Sequence, residues 1–274
     1  MFLSEVSNII NTTSIIKLNK NRKFTNITDS SQKANHKSIL LINSIKFKKK
    51  YIIDSDQKNI AAIITNKHIK VFNNTQFIVN NVNKEAEKIL NKLLPYKPFN
   101  SIAITGTNGK TSVAWYLSQI FKHSNLKSKM LGTLGFYKNH KKIKNTSLTT
   151  PSFEELYQFS YEKKQSSINF IFEASSHALI QNRLRNISVD IAAITNISND
   201  HLDYHKKMSN YTKAKFLLFK KYLNKKGVAI INSRLKNFNN LREILKKRKI
   251  KIIHYGSKDI FFEKKGKFYL NIYK

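Results

Sequence analysis

Residues 102–112, IAITGTNGKTS, constrain this chain more than any other segment. The pattern predicts a short apolar strand over 101–105, a tight glycine turn, and a helix over 111–123. Backbone N–H groups in such a turn and at the start of the helix can cradle a phosphate. Lys110 would then reach the terminal phosphates of a nucleotide, and the Thr111 hydroxyl would bind Mg²⁺. The segment therefore predicts a nucleotide-binding loop between a strand and a helix.

The glycine spacing of this loop differs from the standard Walker pattern. The position five residues before Gly109 is Ile104, and the first glycine is Gly106. A chance glycine turn is the alternative interpretation, but the apolar strand before it and the amphipathic helix after it are the context that a phosphate loop requires. The candidate ATP-binding residues are Gly106, Thr107, Asn108, Gly109, Lys110, Thr111 and Ser112.

Predicted strands and helices alternate beyond residue 100. Such alternation is typical of an α/β fold with a mostly parallel sheet and helices on both faces. The predicted strands are 101–105, 170–172, 191–195, 228–231 and 251–254, and the predicted helices are 111–123, 152–164, 211–222 and 235–249.

The preceding segment is predicted to form a separate, small mixed α/β domain. A helix over 85–94 leads to Pro95 and Pro98, and prolines end helices and stiffen linkers. We therefore place a boundary at these prolines, with an N-terminal domain over 1–97 and a central domain over 98–274. The predicted strands of the first domain are 38–42 and 60–65, and the lysine-rich residues 46–51 are predicted to form an exposed loop.

Composition excludes several classes of protein. With 274 residues, 41% of them hydrophobic, the chain is long enough for about two domains and too apolar to be disordered. No apolar run reaches the ~20 residues of a membrane-spanning helix, and the N-terminus lacks the basic start and apolar core of a signal peptide. The lack of cysteine excludes disulfides, thiolate zinc sites and a cysteine nucleophile. These features predict a soluble, cytoplasmic protein without a membrane partner.

The net charge admits two interpretations. Fifty basic and sixteen acidic residues give +34, which attracts anionic ligands and could indicate a nucleic-acid surface. Only six of the basic residues are arginines, and the other 44 are lysines. Nucleic-acid recognition usually relies on arginine, whose planar guanidinium forms paired hydrogen bonds with phosphates and base edges. The lysine excess, accompanied by abundant Asn and Ile, therefore favours the codon bias of an AT-rich genome over a nucleic-acid partner.

Three further segments, together with GTNGKTS, carry a resemblance to a known family. Residues 173–183 (EASSHALIQNR), 195–205 (TNISNDHLDYH) and 211–219 (YTKAKFLLF) are similar, in this order, to motifs of the Mur ligases. The SSH and DHLDYH strings resemble the MurE branch, the UDP-N-acetylmuramoyl-tripeptide synthetases. The GKT string differs from the GKG of folylpolyglutamate synthetases. The resemblance is dense over 101–231 and faint before and after.

This resemblance implies an ATP- and Mg²⁺-dependent ligase of peptidoglycan synthesis. Such an enzyme phosphorylates a carboxylate of UDP-N-acetylmuramoyl-L-alanyl-D-glutamate to an acyl phosphate. The amine of diaminopimelate or lysine then displaces the phosphate and forms an amide. A basic protein that binds nucleotides or nucleic acid without catalysis is the alternative function, typical of a remnant that kept the sheet and lost the chemistry.

The resemblance also implies roles for individual residues. Thr111, Glu173 and His201 would associate with Mg²⁺, Lys110 and His201 would be catalytic, and Lys215 would carry a carbamate. Apolar neighbours could lower the pKa of Lys215 enough to supply the neutral amine that carbamate formation needs. The implied substrate-binding residues are Ser30, Thr149, Thr150, Ser175, Gln181 and Arg183.

Departures from the family pattern limit the expected activity. Ser31 stands where the family has an arginine that grips the UDP part of the substrate, so we expect altered or weak uridine binding. Asn199 replaces the arginine that is usual before Asp200. Nothing after residue 231 resembles the family's third, amino-acid-binding domain, so we expect the amino acid to bind only where such a domain is supplied. A fragment, half of a split enzyme and a decayed remnant are open alternatives.

Overall fold

A computed structural model of the protein describes residues 1–43, 49–200, 202–256, 261–264 and 267–270. The chain forms two compact units. The first comprises Met1–Lys97 and Glu154–Gln165, and the second comprises Pro98–Phe153 and Ser166–Lys274. Across the described residues, none of the helices combines the length and the apolarity that crossing a membrane would require.

The first unit contains a five-stranded sheet in the order β1-β5-β4-β3-β2. β1 is antiparallel to β5, and the other neighbouring strands are parallel. Its strands are β1 (Ser14–Ile16), β2 (Asn26–Thr28), β3 (Ser38–Ile42), β4 (Ala62–Thr65) and β5 (Thr75–Ile78), and its helices before residue 97 are α1 (Leu3–Ile9), α2 (Lys49–Gln57) and α3 (Val82–Leu93).

Burial and capping explain these elements. Every residue of β3 is buried, as expected for a strand covered on both faces. The predicted helix over 85–94 begins earlier, at Val82, because the Asn81 side chain accepts a hydrogen bond from the backbone N–H of Lys84 and caps the helix. The predicted strand over 60–65 is confirmed in its last four residues.

The predicted loop over 46–51 is wrong in its final residues. Residues 44–48 lie outside the described part of the chain, but α2 begins at Lys49. Lysine is a good helix former, and the helix buries Ile52 and Ser55 on its inner face. A run of lysines is therefore compatible with the start of a helix.

The segment 154–165 belongs with the first unit, whereas the sequence placed it in the central domain. Helix α5 (Phe153–Ser160) carries Gln158, whose side-chain amide exchanges two hydrogen bonds with the backbone of Ile27 in β2, at 3.2 and 2.8 Å. Glu155 pairs with Lys33 at 2.6 Å. α5 ends at Ser160, earlier than predicted, and Glu162 then forms a β-bridge with Tyr96. These contacts tie the segment to the first sheet.

The second unit contains an eight-stranded sheet in the order β13-β12-β11-β6-β10-β7-β8-β9. β13 to β7 are parallel, and β8 and β9 continue the sheet as antiparallel strands. The predicted α/β fold with a mostly parallel sheet is thereby confirmed. Its strands are β6 (Ser101–Thr105), β7 (Ser128–Gly132), β8 (Gly135–Lys138), β9 (Lys141–Lys144), β10 (Asn169–Glu173), β11 (Val189–Ile194), β12 (Leu223–Asn232) and β13 (Lys251–Tyr255), and β14 (Phe261–Lys264) pairs separately with β15 (Lys267–Leu270).

Three of the five α-helices described in this unit were predicted, with different bounds, whereas Ser176–Ile180 and Leu202–His205 were not. The predicted helix over 211–222 is an α-helix up to Leu217 and then one π-helical turn, Leu218–Tyr222. Arg248 stabilises this irregular turn, because its guanidinium donates hydrogen bonds to the backbone carbonyls of Phe219 and Leu223. The helices are α4 (Lys110–His123), α6 (Ser176–Ile180), α7 (Leu202–His205), α8 (Met208–Leu217) and α9 (Phe238–Lys247).

Candidate functional site

The phosphate loop (residues 106–111) follows β6 in the middle of the parallel sheet. Gly106 and Gly109 have φ values of +149° and +83°, which L side chains rarely adopt. A Cβ at Gly106 would also lie 1.9 Å from Thr195 Oγ1, so only glycine fits there. Gly109 caps α4, which begins at Lys110. The loop therefore directs the start of α4 to the edge of the sheet where open α/β folds bind ligands.

Residues that follow β11 brace this loop. The backbone N–H of Thr107 donates to Asn196 O at 2.9 Å, and that of Asn108 donates to Asn196 Oδ1 at 3.0 Å. Thr195 Oγ1 donates to Asn108 O at 2.6 Å. Ser198 donates its N–H to Thr107 Oγ1 and accepts from that hydroxyl, at 3.0 and 3.2 Å. None of these three residues was predicted to have a role, although all three stand in the TNIS string of residues 195–198.

Glu173 ends the neighbouring strand β10 and lies beside the loop. It is 1% exposed, and its Oε2 accepts a hydrogen bond from Thr111 Oγ1 at 2.9 Å. The backbone N–H of Thr133 donates to Oε1 at 2.7 Å. A Cβ at Gly132 would lie 2.0 Å from Oε1, so glycine there makes room for the carboxylate. Thr133 is a further residue of this site that was not predicted from the sequence.

The pair formed by Glu173 and Thr111 suits Mg²⁺. A carboxylate and a hydroxyl are hard oxygen donors, and Mg²⁺ usually takes only one or two protein ligands beside water and phosphate oxygens. Among the described residues there is no cluster of three or more His, Cys, Asp or Glu side chains that could hold a metal without such help. His201, the other predicted metal-associated residue, lies outside the described residues.

Two lysine amines meet at one backbone carbonyl of the loop. Lys110 Nζ donates to Gly106 O at 2.9 Å and to Thr107 O at 2.8 Å, and Lys215 Nζ donates to Gly106 O at 2.7 Å. Lys215 lies on α8 and is 1% exposed. Burial, reinforced by the positive charge of Lys110, lowers the pKa of Lys215 to about 7, although Asp200 opposes the shift. Burial also lowers the pKa of Lys110, against the charges of Glu173 and Asp200.

The predicted substrate residues of the second unit form a connected group. Thr150 Oγ1 donates to Glu173 O at 2.7 Å and accepts from the backbone N–H of Ser175 at 3.0 Å. Arg183 Nη1 donates a hydrogen bond to Thr150 O at 2.6 Å. Its Nε and Nη2 both donate to Gln181 Oε1, at 2.9 and 2.6 Å. The hydroxyls of Thr149 and Thr133 lie 3.1 Å apart. This group adjoins Glu173 through the hydrogen bond from Thr150.

Ser112 and Ser30 are the remaining predicted site residues. Ser112 is exposed in the first turn of α4. Ser30 belongs to the first unit, in a turn after β2, where its backbone N–H donates to Thr28 Oγ1 at 3.1 Å. Ser31, which stands where the family pattern has arginine, is 7% exposed.

A glycine loop between a strand and a helix of a mostly parallel sheet, with a buried carboxylate and two lysines beside it, is typical of α/β domains that bind nucleotides. The family model of the Mur ligase middle domain matches residues 104–270, and the chain therefore belongs to the Mur ligase family. The match extends beyond residue 231, where the resemblance in the sequence had become faint.

Individual relatives agree with this assignment. The chain is 34% identical over 218 residues to the UDP-N-acetylmuramoyl-L-alanyl-D-glutamate–2,6-diaminopimelate ligase of Rickettsia bellii, covering 78% of this chain and 46% of that one. It is 34% identical over 236 residues to the protein of the same name from Buchnera aphidicola subsp. Schizaphis graminum, covering 80% and 46%. The chain thus spans about half the length of the curated relatives it matches.

Solved structures show the same fold. A structure of a UDP-N-acetylmuramoyl-L-alanyl-D-glutamate–2,6-diaminopimelate ligase superposes with a TM-score of 0.65 at 24% identity, covering 93% of this chain and 52% of that one. The MurF ligase of Thermotoga maritima, solved in complex with ADP, superposes with a TM-score of 0.61 at 14% identity, covering 89% and 55%.

Proposed function

We propose that the chain carries the ATP-binding and acyl-activating part of a MurE-type ligase of peptidoglycan synthesis. In this proposal ATP phosphorylates a carboxylate of UDP-N-acetylmuramoyl-L-alanyl-D-glutamate, giving an acyl phosphate and ADP. The amine of diaminopimelate or lysine then displaces phosphate and forms the amide. This second step requires a third domain that supplies the binding site for the amino acid. A cytoplasmic location, where ATP and UDP-linked precursors are available, forms part of the same proposal.

The phosphate loop would hold the nucleotide. Backbone N–H groups at the start of α4 and the Lys110 amine favour the negative charge of the phosphates. Thr111 and Glu173 would hold Mg²⁺, which neutralises phosphate charge during phosphoryl transfer. Phosphoryl transfer requires mainly positioning and charge neutralisation from a protein, and these residues supply both.

Lys215 would act as a carbamate. Its neutral amine attacks the carbon of CO₂, a C=O π pair moves to oxygen, and the nitrogen releases one proton to solvent. The product is an N-carboxylate, which replaces a cation by an anion beside the loop. A pKa of about 7 leaves a large share of the amine neutral at physiological pH, as this reaction requires.

The acceptor carboxylate would lie on the Arg183 side of Glu173. Arginine holds carboxylates in a planar fork, and the hydroxyls of Thr149 and Thr150 suit the sugar and peptide groups of the substrate. The N-terminal domain, including Ser30, would bind the UDP part. That assignment rests on the resemblance of the sequence, and the Ser31 departure predicts weakened uridine binding.

One observation carries this proposal: the buried Lys215, the half-buried Lys110 and the Glu173–Thr111 pair converge on the same phosphate loop. A structural role alone gives no reason to direct two amines at a single backbone carbonyl. The buried Lys215 amine loses its hydration, and the loss is expensive unless a ligand or a chemical modification uses the group.

Trapping of the acyl phosphate tests the proposal. The chain is incubated with Mg·ATP and UDP-N-acetylmuramoyl-L-alanyl-D-glutamate, and hydroxylamine is added to displace phosphate and give a hydroxamate. We expect a hydroxamate that requires both substrates and that is lost in Lys110→Ala and Lys215→Ala. Lys213→Ala is the matched control, because Lys213 is an exposed lysine on the same helix as Lys215. A hydroxamate that persists in Lys215→Ala would contradict the assigned role of that amine.

The charge of +34 supports one second candidate, a noncatalytic basic protein that binds nucleotides or nucleic acid. Such a protein would bind DNA or RNA with an affinity that falls steeply with salt. Its binding would not change in Lys110→Ala or Lys215→Ala. This outcome, together with no hydroxamate from the unmodified chain, would replace the ligase proposal.

A further inference from the structure

Tyr211 occupies a position that no motif assignment explains. It is 1% exposed and lies on α8 one helical turn before Lys215. Residues four apart in a helix share one face, so the tyrosine ring and the lysine stem point to the same side of α8. That side contains the phosphate loop, which both residues contact.

The Tyr211 hydroxyl completes the hydrogen bonding of Thr107. A threonine hydroxyl has one donor and two acceptor positions. The Thr107 hydroxyl donates to Ser198 O and accepts from Ser198 N–H, and it lies 3.3 Å from the Tyr211 hydroxyl. With its donor already used, the Thr107 oxygen can only accept, so Tyr211 donates. Burial raises the pKa of Tyr211, which keeps this donor protonated at physiological pH.

The Tyr211 ring lies against the Lys215 amine. The Lys215 Nζ lies 4.2 Å from the centroid of the ring. The ring also contacts His205, at a distance of 5.1 Å between the ring centroids. His205 Nε2 in turn shares a hydrogen bond of 3.0 Å with Ser176 Oγ, at the start of α6. A cation over a ring face favours the charged form of the amine. Burial outweighs this attraction, because the net shift of the Lys215 pKa is downward.

We infer that Tyr211 is a positioning residue with two separable tasks: its hydroxyl fixes the phosphate loop through Thr107, and its ring holds the Lys215 amine dry and directed at Gly106 O. The inference rests on the proposed function, in which the loop binds a nucleotide and the Lys215 amine forms a carbamate. It predicts that loss of the hydroxyl weakens nucleotide binding and spares the amine, whereas loss of the ring changes the amine.

Two variants separate these tasks. Tyr211→Phe keeps the ring, and we expect its affinity for Mg·ADP to fall about 3- to 10-fold, the worth of one hydrogen bond. Its uptake of ¹³CO₂, followed as a carbamate signal by ¹³C NMR, should match that of the unmodified chain. Tyr211→Leu removes the ring, and we expect the carbamate signal to be lost or its pH midpoint to rise. Tyr116→Phe is the matched control, since Tyr116 is 66% exposed on α4.

A double-mutant cycle distinguishes this role from general destabilisation. In a Thr107→Val background the hydroxyl pair no longer exists, so Tyr211→Phe should cost no further affinity for Mg·ADP. If the two losses simply add, or if Tyr211→Leu keeps the carbamate signal and its pH midpoint, the inference is wrong. If the unmodified chain neither binds Mg·ADP nor forms a carbamate, the proposed function itself fails, which is a different result.

Discussion

Replacing Gly132 with alanine would displace the carboxylate on which the proposed Mg²⁺ site depends. Gly132 ends β7, beside Glu173 on β10. A Cβ there would lie 2.0 Å from Glu173 Oε1, 2.7 Å from Cδ and 2.8 Å from Cγ. No part of this carboxylate can remain where it is, because real contacts are never that short. The backbone at Gly132 needs no positive φ, so the effect of alanine is steric.

The contacts that Glu173 would lose set the magnitude. Its Oε1 accepts the Thr133 N–H at 2.7 Å, and a hydrogen bond to a charged group is worth about 1.5–3 kcal/mol. If the same displacement removes the carboxylate from Mg²⁺, the affinity for Mg·ADP should fall about 10- to 100-fold. The free energy of unfolding should also fall, by about 1–3 kcal/mol, as for other overpacked sites.

Calorimetric titration with ADP, in Mg²⁺ and in EDTA, measures this effect. Gly227→Ala is the matched control: its Cβ would lie 2.7 Å from Leu223 Cδ1 and 2.8 Å from Asp190 O, without touching Glu173. We expect Gly227→Ala to lose stability and to keep its Mg·ADP affinity. In EDTA, Gly132→Ala and the unmodified chain should bind ADP about equally.

Two results would refute this reasoning. Unchanged Mg·ADP affinity in a folded Gly132→Ala variant would mean that the position of Glu173 does not matter for the metal. An equal loss of ADP affinity with and without Mg²⁺ would mean that the substitution acts on the loop and not on a metal ligand.

Three further predictions follow from the same geometry. Lys215→Met should remove a pH dependence of the free energy of unfolding, because folding lowers the pKa of Lys215 from 10.5 to about 7. As the pH rises between these values, the unmodified chain should gain about 5 kcal/mol of stability over the variant, with no gain below pH 7. Chemical denaturation at each pH would show this. Gly106→Ala should lower the unfolding midpoint more than Gly109→Ala, because the Cβ at position 106 would clash with Thr195. The Cβ at position 109 would make only ordinary contacts at 3.8 Å, so its cost of about 1 kcal/mol would come from the positive φ alone. Equal shifts in a thermal scan would contradict this prediction. Arg183→Lys should weaken UDP-N-acetylmuramoyl-dipeptide binding about 10-fold or more and leave Mg·ADP binding unchanged, because lysine cannot reproduce the planar fork; calorimetry with each ligand separately checks this.

Five of the eight strands in the sheet of the second unit were predictable because each contains a short apolar run, whereas β7, β8 and the lysine-rich β9 were not predicted. The loop after β6 carries a strand, two glycines and a helix start within a few residues, and each of these signals is local. Where the prediction was wrong, a distant contact decides. Arg248 stabilises the π-helical turn after α8 from thirty residues away, and Gln158 binds the edge of β2 in a unit to which the sequence did not assign it.

The site could be anticipated only in part, for a similar reason. Lys110 and Thr111 stand in the loop itself, and Glu173 and Lys215 were singled out by the resemblance to a family. The bracing residues after β11, Thr133 and Tyr211 act through contacts that sequence separation conceals. The loop residue Thr107, for example, meets Ser198 and Tyr211 across separations of 91 and 104 residues. No local pattern identifies such partners, although most of them stand inside the quoted motifs.

Binding of a nonhydrolysable ATP analogue to the unmodified chain and to Lys110→Ala tests the central claim most directly. The claim is that residues 106–111, with Glu173, form a site for Mg·nucleotide. Calorimetry should show saturable binding that is stronger in Mg²⁺ than in EDTA, and no measurable binding to Lys110→Ala. Absence of binding to the folded, unmodified chain, or equal binding to Lys110→Ala, would contradict the claim.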